Sequence, residues 1–487
     1  MAETKPETER SLDPEDWPAF RKLAHRMLDS ALDHLEGAAD RPVWRPTPDS
    51  ARNALNAPPP MAPEGAEAAA RDLLDHVLPY PTGNTHPRFF GWVHGTGTPG
   101  GVLAEMMAAA MNANLGGRDH APILVEKQVI EWMRLALGFP AGTSGLVLSG
   151  TSMATLIALI AARKAKAPHD VRRLGLRQAE TPLVGYTSTE AHSCVAKAFD
   201  QCGLGLDALR LVPVGEDFTM DVATLREMIA RDRAAGALPF IVIGAAATVN
   251  TAATDDLEAI ADIAAEEGLW FHVDGAFGAM AALSSRLRPR LKGMERADSI
   301  AFDFHKWMHV PYDAGCVLIR DGEAHLSAFA HGADYLRGLP RGLGAGKPWF
   351  SDYGIELSRG FRALKIWFTL KEHGLNRIGE KLEDNVAQAA RLAALVDAHP
   401  DLERLAPAPL NIVCFRYAPA GLSGDIDAIQ REIVMDIQES GIAAPSTTMI
   451  RGKAAIRANI TNHRTCMGDM DLLIHAVIEF GGRYLAR

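Results

Sequence analysis

Ser299-Ile-Ala-Phe-Asp-Phe-His-Lys-Trp-Met-His-Val-Pro-Tyr-Asp313 decides how this chain is read. Residues 299–302 are apolar after Asp298 and read as a short buried strand. The strand runs into His305-Lys306-Trp307, which places a lysine where a strand of an α/β sheet ends, beside a histidine and among aromatic residues. Few chemistries want a lysine there. The leading one is an imine with an aldehyde cofactor, because a desolvated lysine loses its proton more easily and becomes a nucleophile. Taken alone, Lys306 reads better as a loop lysine snorkelling to solvent. The balance turns on what else the chain supplies.

Working upstream, Trp270-Phe-His-Val-Asp274-Gly-Ala-Phe277 ends a hydrophobic strand on an acid. A buried carboxylate is costly without a cationic or hydrogen-bonded partner. A protonated pyridine nitrogen would serve, and so would a turn that Asp274 caps. Gly145-Leu-Val-Leu-Ser149-Gly150-Thr151-Ser152 precedes an apolar helix through Ala162. This strand-turn-helix points free N–H groups and small hydroxyls at an anion, although Ser-Gly-Thr-Ser is also a common capped turn. Residues 183–187 form a strand leading to Glu190-Ala191-His192-Ser193, and the strand at 240–244 leads to Thr248-Val249-Asn250-Thr251. A strand at 209–214 and helices at 222–232 and 257–267 complete an alternation that predicts an α/β fold, a mostly parallel sheet covered by helices on both faces.

Toward the N-terminus, apolar residues from Phe20 to Leu35 recur at helical spacing and Gly37 ends the helix. Prolines at 42, 46, 48 and 58–60 predict an extended connector, and residues 67–77 return to helix. This arm, residues 1–85, is too small for its own core and is expected to pack on another domain or a second subunit. The large α/β domain is expected over 86–375. Helices at 379–396, 426–439 and 469–480 around strands at 411–417 and 454–460 predict a small α+β domain over 376–487. His86-Pro87-Arg88-Phe89-Phe90-Gly91-Trp92 is dense in aromatic residues and reads as a pocket wall or a core edge. Residues 329–347, rich in glycine and carrying Tyr335, suit a lid over a site.

Composition narrows the partners. With 47% hydrophobic residues, 487 residues can bury a large core. A net charge of -10 argues against nucleic acid or an anionic membrane as the main partner. Cys194, Cys202, Cys316, Cys414 and Cys466 are scattered with no Cys-x-x-Cys pair, so neither a metal site nor a disulfide framework is indicated. The acidic, polar first residues are unlike a secretory signal, and no apolar run is long enough to span a bilayer. A reducing cytoplasm is the expected location.

In chain order the candidates are an anion seat, a histidine, an acid and a lysine, each at a strand end. Sites in open α/β sheets gather at the carboxyl ends of strands. A phosphate to hold, a flat ring to stack against, a ring nitrogen to keep protonated and an aldehyde to tether fit pyridoxal 5'-phosphate. The chain resembles the group II pyridoxal-phosphate-dependent amino-acid decarboxylases, the family of aromatic-L-amino-acid decarboxylase, over nearly its whole length. His305-Lys306-Trp307 resembles the family's cofactor-lysine motif, His272 to Ala276 the strand with the pyridinium aspartate, Ala191-His192-Ser193 the stacking histidine, and Ser149 to Ala154 the phosphate turn. The family usually has a second glycine where Thr151 stands. Trp92-Val93-His94 and Arg118-Asp119-His120 also depart from the commonest residues of the aromatic enzymes.

This resemblance implies a fold-type-I architecture with a seven-stranded-type sheet and a homodimer with its active sites at the subunit interface. Lys306 is expected to tether the cofactor, Asp274 to hold the ring nitrogen protonated, His192 to stack on the ring and Tyr335 to deliver a proton to Cα. Thr151, Ser152, Thr248, Ala276, Asp303 and His305 complete the expected cofactor site. Phe90, Trp92 and His120 are expected at the substrate, an amino acid and by these residues an aromatic one. Ser358 resembles a serine of members that favour phenolic side chains.

Other outcomes use the same parts. An aminotransferase would clamp the substrate carboxylate with an arginine, for which Arg457 and Arg359 are candidates. Aldehyde-forming decarboxylation is disfavoured by tyrosine, rather than phenylalanine, at 335. A nicotinamide dehydrogenase is disfavoured because no Gly-x-Gly-x-x-Gly follows an N-terminal strand. A binding protein without catalysis would not need Lys306, Asp274, His192 and Tyr335 together.

Overall fold

The computed structural model describes residues 11–176, 181–331 and 338–485. Seven strands make the central sheet: β1 (Ser144–Leu148), β2 (Leu183–Ser188), β3 (Leu209–Val212), β4 (Leu238–Ala245), β5 (Trp270–Asp274), β6 (Ser299–Asp303) and β7 (Gly315–Ile319), in the order β1-β7-β6-β5-β4-β2-β3. Only β7 runs antiparallel to its neighbours. Every residue of β5, β6 and β7 is buried, as expected where helices cover both faces of a sheet. Sequence reading did not assign β7; its uninterrupted apolar run has no alternation to mark it.

Helix Thr151–Lys166 packs across β6 and β7 through Ala154, Ile157, Ala158, Ala161 and Ala162. Its alanines let it lie close to the sheet. Because β2, β4, β5 and β6 are parallel, their last residues, Ser188, Ala245, Asp274 and Asp303, emerge on one edge of the sheet. Register fixes their heights: Ala245 is opposite Asp274, and Asp274 opposite Ala301.

A second, antiparallel sheet follows, β8 (Leu402–Arg404), β9 (Ile412–Tyr417), β10 (Ser446–Ile450) and β11 (Lys453–Asn459), in the order β10-β11-β9-β8. Helices Ile426–Ser440 and Met467–Gly482 and the later part of Arg362–Ala398 cover it. The long helix breaks at Gly374 (φ 71°), a left-handed position that glycine takes without a Cβ clash. The core of this sheet holds Phe415, Ile456, Leu473 and also Phe90, which is fully buried. Phe90 N–H donates to the Ala444 carbonyl and its own carbonyl accepts from Asn459 N–H, both at 2.9 Å, so residues 89–92 are stitched to the small sheet.

In the N-terminal arm, helix Trp17–Glu36 starts on Asp16, whose carboxylate accepts from Ala19 N–H at 2.9 Å, and stops at Gly37. Leu23 is its one buried residue. The connector is less extended than its prolines suggest: Asp49–Leu55 is helical, with Pro48 just before the first turn, where proline is tolerated. Among the described residues no helix is long and apolar enough to cross a membrane.

Candidate active site

The strand ends open onto a cavity of about 460 Å³ that Thr151, Ser152, His192, Thr248, Asp274, Ala276, Asp303, His305 and Lys306 all line. Trp92 lines it too. Phe90 and His120 do not. Phe90 is spent in the small-sheet core, because in this segment the side chain two residues on, Trp92, is the one facing outward. His120 is half-buried before helix Ala121–Leu137, with Nε2 3.3 Å from the Asn114 carbonyl. Ser358 is exposed and outside the cavity of its own chain. Tyr335 lies outside the described residues.

Asp303 ties the site together. Its side chain is 2% exposed. Thr151 N–H donates to Oδ1 at 2.7 Å, and Lys306 Nζ donates to Oδ2 at 2.9 Å. One carboxylate at the end of β6 thus holds both the first turn of helix Thr151–Lys166 and the lysine. Burial works against the Lys306 ammonium, but the attraction of Asp303 and its hydrogen bond outweigh burial and raise the pKa. The sequence reading named the effect of burial, which does favour the free amine, but not the opposing pull of Asp303. Gly315 makes the arrangement possible: a Cβ there would stand 2.5 Å from Gly150 Cα and 2.6 Å from Asp303 Oδ1.

Asp274, at the end of β5, accepts from Ala276 N–H at 3.1 Å. Burial pushes its carboxyl above the usual range, against the pull of Lys306, the Ala276 N–H and His192. His192 accepts at Nδ1 from Cys194 N–H at 3.2 Å, and burial holds its pKa down although Asp274 opposes this. His305 is buried, with Nδ1 2.9 Å from the Ala314 carbonyl, and its ring lies 4.4 Å from that of Tyr312.

The residues fit pyridoxal phosphate on the chemistry of the donor set. Thr151 and Ser152, in the first turn of a sixteen-residue helix, line the cavity, and among the described residues the buried Thr151 hydroxyl has no partner. Asp274 is a buried acid in want of a cation. Lys306 is the primary amine. Thr151, Ser152, Asp274, Ala276, His192 and Lys306 would hold the group.

For several wall residues the sequence indicates the position but not the contacts. His94 stacks between Phe89 and Trp92, with ring centroids at 5.6 Å from each, and burial, with Lys306 and His305 nearby, lowers its pKa. Asn250 Nδ2 donates to Glu190 Oε2 at 3.0 Å, and Asn250 Oδ1 accepts from Thr448 Oγ1 at 2.8 Å, which joins the loop after β2 to β10. Arg457, on β11, is 3% exposed. Its guanidinium donates to the carbonyls of Asn250 (3.2 Å), Trp92 (2.9 Å) and Val249, and burial lowers its pKa to about 10. Arg359 is equally committed, to Glu126 and to the Leu115 and Val147 carbonyls. Neither arginine is free to clamp a carboxylate.

The pyridoxal-dependent decarboxylase conserved domain matches residues 48–418. The chain is 34% identical over 458 residues to the aromatic-L-amino-acid decarboxylase of Bacillus atrophaeus, covering 93% of each chain. It is 28% identical over 464 residues to tyrosine decarboxylase 4 of Petroselinum crispum, covering 92% of this chain and 88% of the relative. Its fold is similar to the crystal structure of Oryza sativa TDC with PLP and tryptamine, with a TM-score of 0.88, 25% identity and coverage of 98% of this chain and 100% of the other.

Proposed function

The chain belongs to the pyridoxal-dependent decarboxylase family, and on that premise we propose that it releases carbon dioxide from an aromatic L-amino acid to give the amine, as a homodimer. It is a pyridoxal-phosphate-dependent amino-acid decarboxylase. The observation that carries the reading of its site is the meeting of Lys306, Asp303, Asp274 and the Thr151 turn in one cavity where Arg457, the only arginine among the described lining residues, is spent on backbone carbonyls.

When bound, pyridoxal phosphate supplies a conjugated electron sink for the substrate's Cα bonds. This chain's residues do the rest. Lys306 would hold the group through its Nζ, with the aldehyde oxygen leaving as water, and Asp303, hydrogen-bonded to Nζ, would take and return the proton there. Asp274 would present negative charge to a ring nitrogen and so favour a proton there. His192 limits movement of the ring. Loss of the carboxylate needs the Cα–carboxylate bond held perpendicular to the ring, a positioning task that the Trp92–His94 wall and Thr448 share. Tyr335 delivers the proton to Cα.

Support for an aromatic side chain comes from Trp92, His94 and Tyr312 on the cavity wall and from the names of the relatives. Support for a second copy comes from helix Pro99–Met111, where Leu103, Met106, Met107 and Met111 lie exposed along one face. Five unpaired cysteines suit a reducing cytoplasm. The arm, large domain and small domain proposed over 1–85, 86–375 and 376–487 accord with the separate core of the second sheet.

A panel of amino acids assayed for amine and carbon dioxide tests the proposal. Turnover confined to aliphatic or acidic substrates would remove the aromatic reading. Aldehyde, ammonia and peroxide in place of amine would establish the aldehyde-forming outcome instead. Sedimentation as a monomer would remove the dimer.

A further inference from the structure

The turn after β6 serves two cavities. Lys306 faces the one already described; His309, three residues on, lines a second of about 460 Å³. His309 is 4% exposed, and among the described residues neither of its ring nitrogens has a partner. Leaving the N–H of a buried ring unsatisfied is unfavourable, so a group that accepts from it is expected from the cavity side.

The surroundings say which group. The other ring on the floor, His463, lies 5.1 Å from His309 and is within hydrogen-bonding distance of the Gly97 carbonyl at 3.2 Å through Nε2. His309 is thus the ring with both nitrogens open. On the helix walling the cavity, Asp384 is neutralised by Lys381 Nζ at 3.2 Å. That leaves Glu380 and the exposed Arg377 at the mouth, with His373 beside them. The charges acting most on His309 are all basic, His463, Lys381, Arg464 and His373, and with burial they hold its pKa well down. A neutral ring N–H in a positive field is a donor to an anion.

We propose that this second cavity binds a small oxyanion, a carboxylate or a phosphate, between the His309 imidazole at its floor and the Arg377 guanidinium at its mouth. Carboxylate and phosphate share this chemistry, a fork of N–H donors around two oxygens. The backbone N–H of His309 donates to the Lys306 carbonyl at 3.2 Å, so the residue that would hold the ligand belongs to the turn that carries the lysine.

The test uses the holoenzyme saturated with its cofactor, so that the cofactor's own phosphate seat is filled. Inorganic phosphate and acetate are titrated separately by calorimetry into wild type, Arg377→Ala and His309→Leu. One saturable site per chain is expected for at least one of the two probes, weakened about tenfold or more in either variant; which probe binds distinguishes the two sources. His309→Leu changes a buried position, so Arg377→Ala, an exposed one, carries the test if the first fails to retain cofactor. No saturable binding of either probe, or equal binding by wild type and Arg377→Ala, overturns the proposal. So does a dimer structure in which a side chain of the second copy fills the cavity.

Discussion

Asp303→Asn separates two roles of one side chain. An amide oxygen can still accept from Thr151 N–H, now at 2.7 Å from Oδ1, but the amide NH₂ then faces Lys306 Nζ, which is 2.9 Å from Oδ2. Asp303 is the group that raises the Lys306 pKa against burial, so the substitution lowers it. A charge-assisted hydrogen bond of this kind is worth ~1.5–3 kcal/mol. At ~1.4 kcal/mol per tenfold, its loss enlarges the free-amine population enough to speed covalent attachment of pyridoxal phosphate to the apoenzyme by roughly tenfold or more at neutral pH. The assay is stopped-flow absorbance of cofactor attachment over a pH series. The rate in wild type climbs with pH as Lys306 loses its proton; in Asp303→Asn the same climb comes at lower pH. Steady turnover should fall in spite of faster attachment, because the proton acceptor beside Nζ is gone. A rate–pH profile superimposable on wild type, in a variant that still binds the cofactor, would refute the claim that Asp303 governs the lysine's proton.

Lys306→Ala should leave no protein–cofactor linkage reducible by borohydride and no turnover, since alanine has no amine; a reducible linkage in the variant would move the anchor elsewhere. Asp274→Asn should keep the fold and still bind cofactor, with kcat lowered by about a hundredfold or more because the amide carries no charge to hold a ring proton; near-normal kcat with cofactor bound counts against this. Arg457→Ala removes three charge-assisted bonds and leaves the Val249 carbonyl without its donor, while Asn459 Nδ2 and Cys414 Sγ still serve the Trp92 and Asn250 carbonyls; it should cost about 1.5 kcal/mol or more, lower Tm and raise KM more than it lowers kcat, and unchanged Tm would deny it a structural role. His272, fully buried, has its pKa lowered to about 3 by burial, so it is neutral in the fold while an unfolded histidine titrates near 6.5. Its contribution is complete above pH ~6.5 and is lost as pH falls toward 3, at ~1.4 kcal/mol per pH unit; calorimetric melts of His272→Gln should show a shallower loss of stability between pH 7 and pH 5 than wild type.

The strand ends were legible because each follows an apolar run that only a buried strand explains, and parallel strands bring their carboxyl ends together whatever lies between them. Thus Thr151, His192, Asp274 and Lys306 could be placed around one space from residue patterns and the family resemblance. Local pattern said nothing of pairings far apart in the chain. Arg457 meets Trp92 across 365 positions, and nothing near either residue marks the contact. Phe90 misled for a related reason: aromatic density is common to pocket walls and core edges, and only the backbone bonds to Ala444 and Asn459 decide between them. Asp303 was read as a cofactor residue, but its hold on both Thr151 and Lys306 depends on the antiparallel β7 and on Gly315, and β7 gave no periodic signal.

The fate of the substrate carboxylate follows from where Arg457 spends its donors. Suppose it turned to clamp a carboxylate, as an aminotransferase requires. Two charge-assisted bonds would gain ~1.5–3 kcal/mol each, but three charge-assisted bonds, to the Asn250, Trp92 and Val249 carbonyls, would be given up on the same scale. The exchange gains nothing, and it would also release the Trp92 loop and the Thr248 turn, which shape the cavity. Arg359 has the same problem, since its departure would strand the buried Glu126. With both guanidiniums held by the fold, the described residues offer the carboxylate no fixed bidentate partner in the cavity. A carboxylate held that loosely can stand out of the ring plane and leave, and the chemistry that remains to Lys306, Asp303 and Asp274 is decarboxylation.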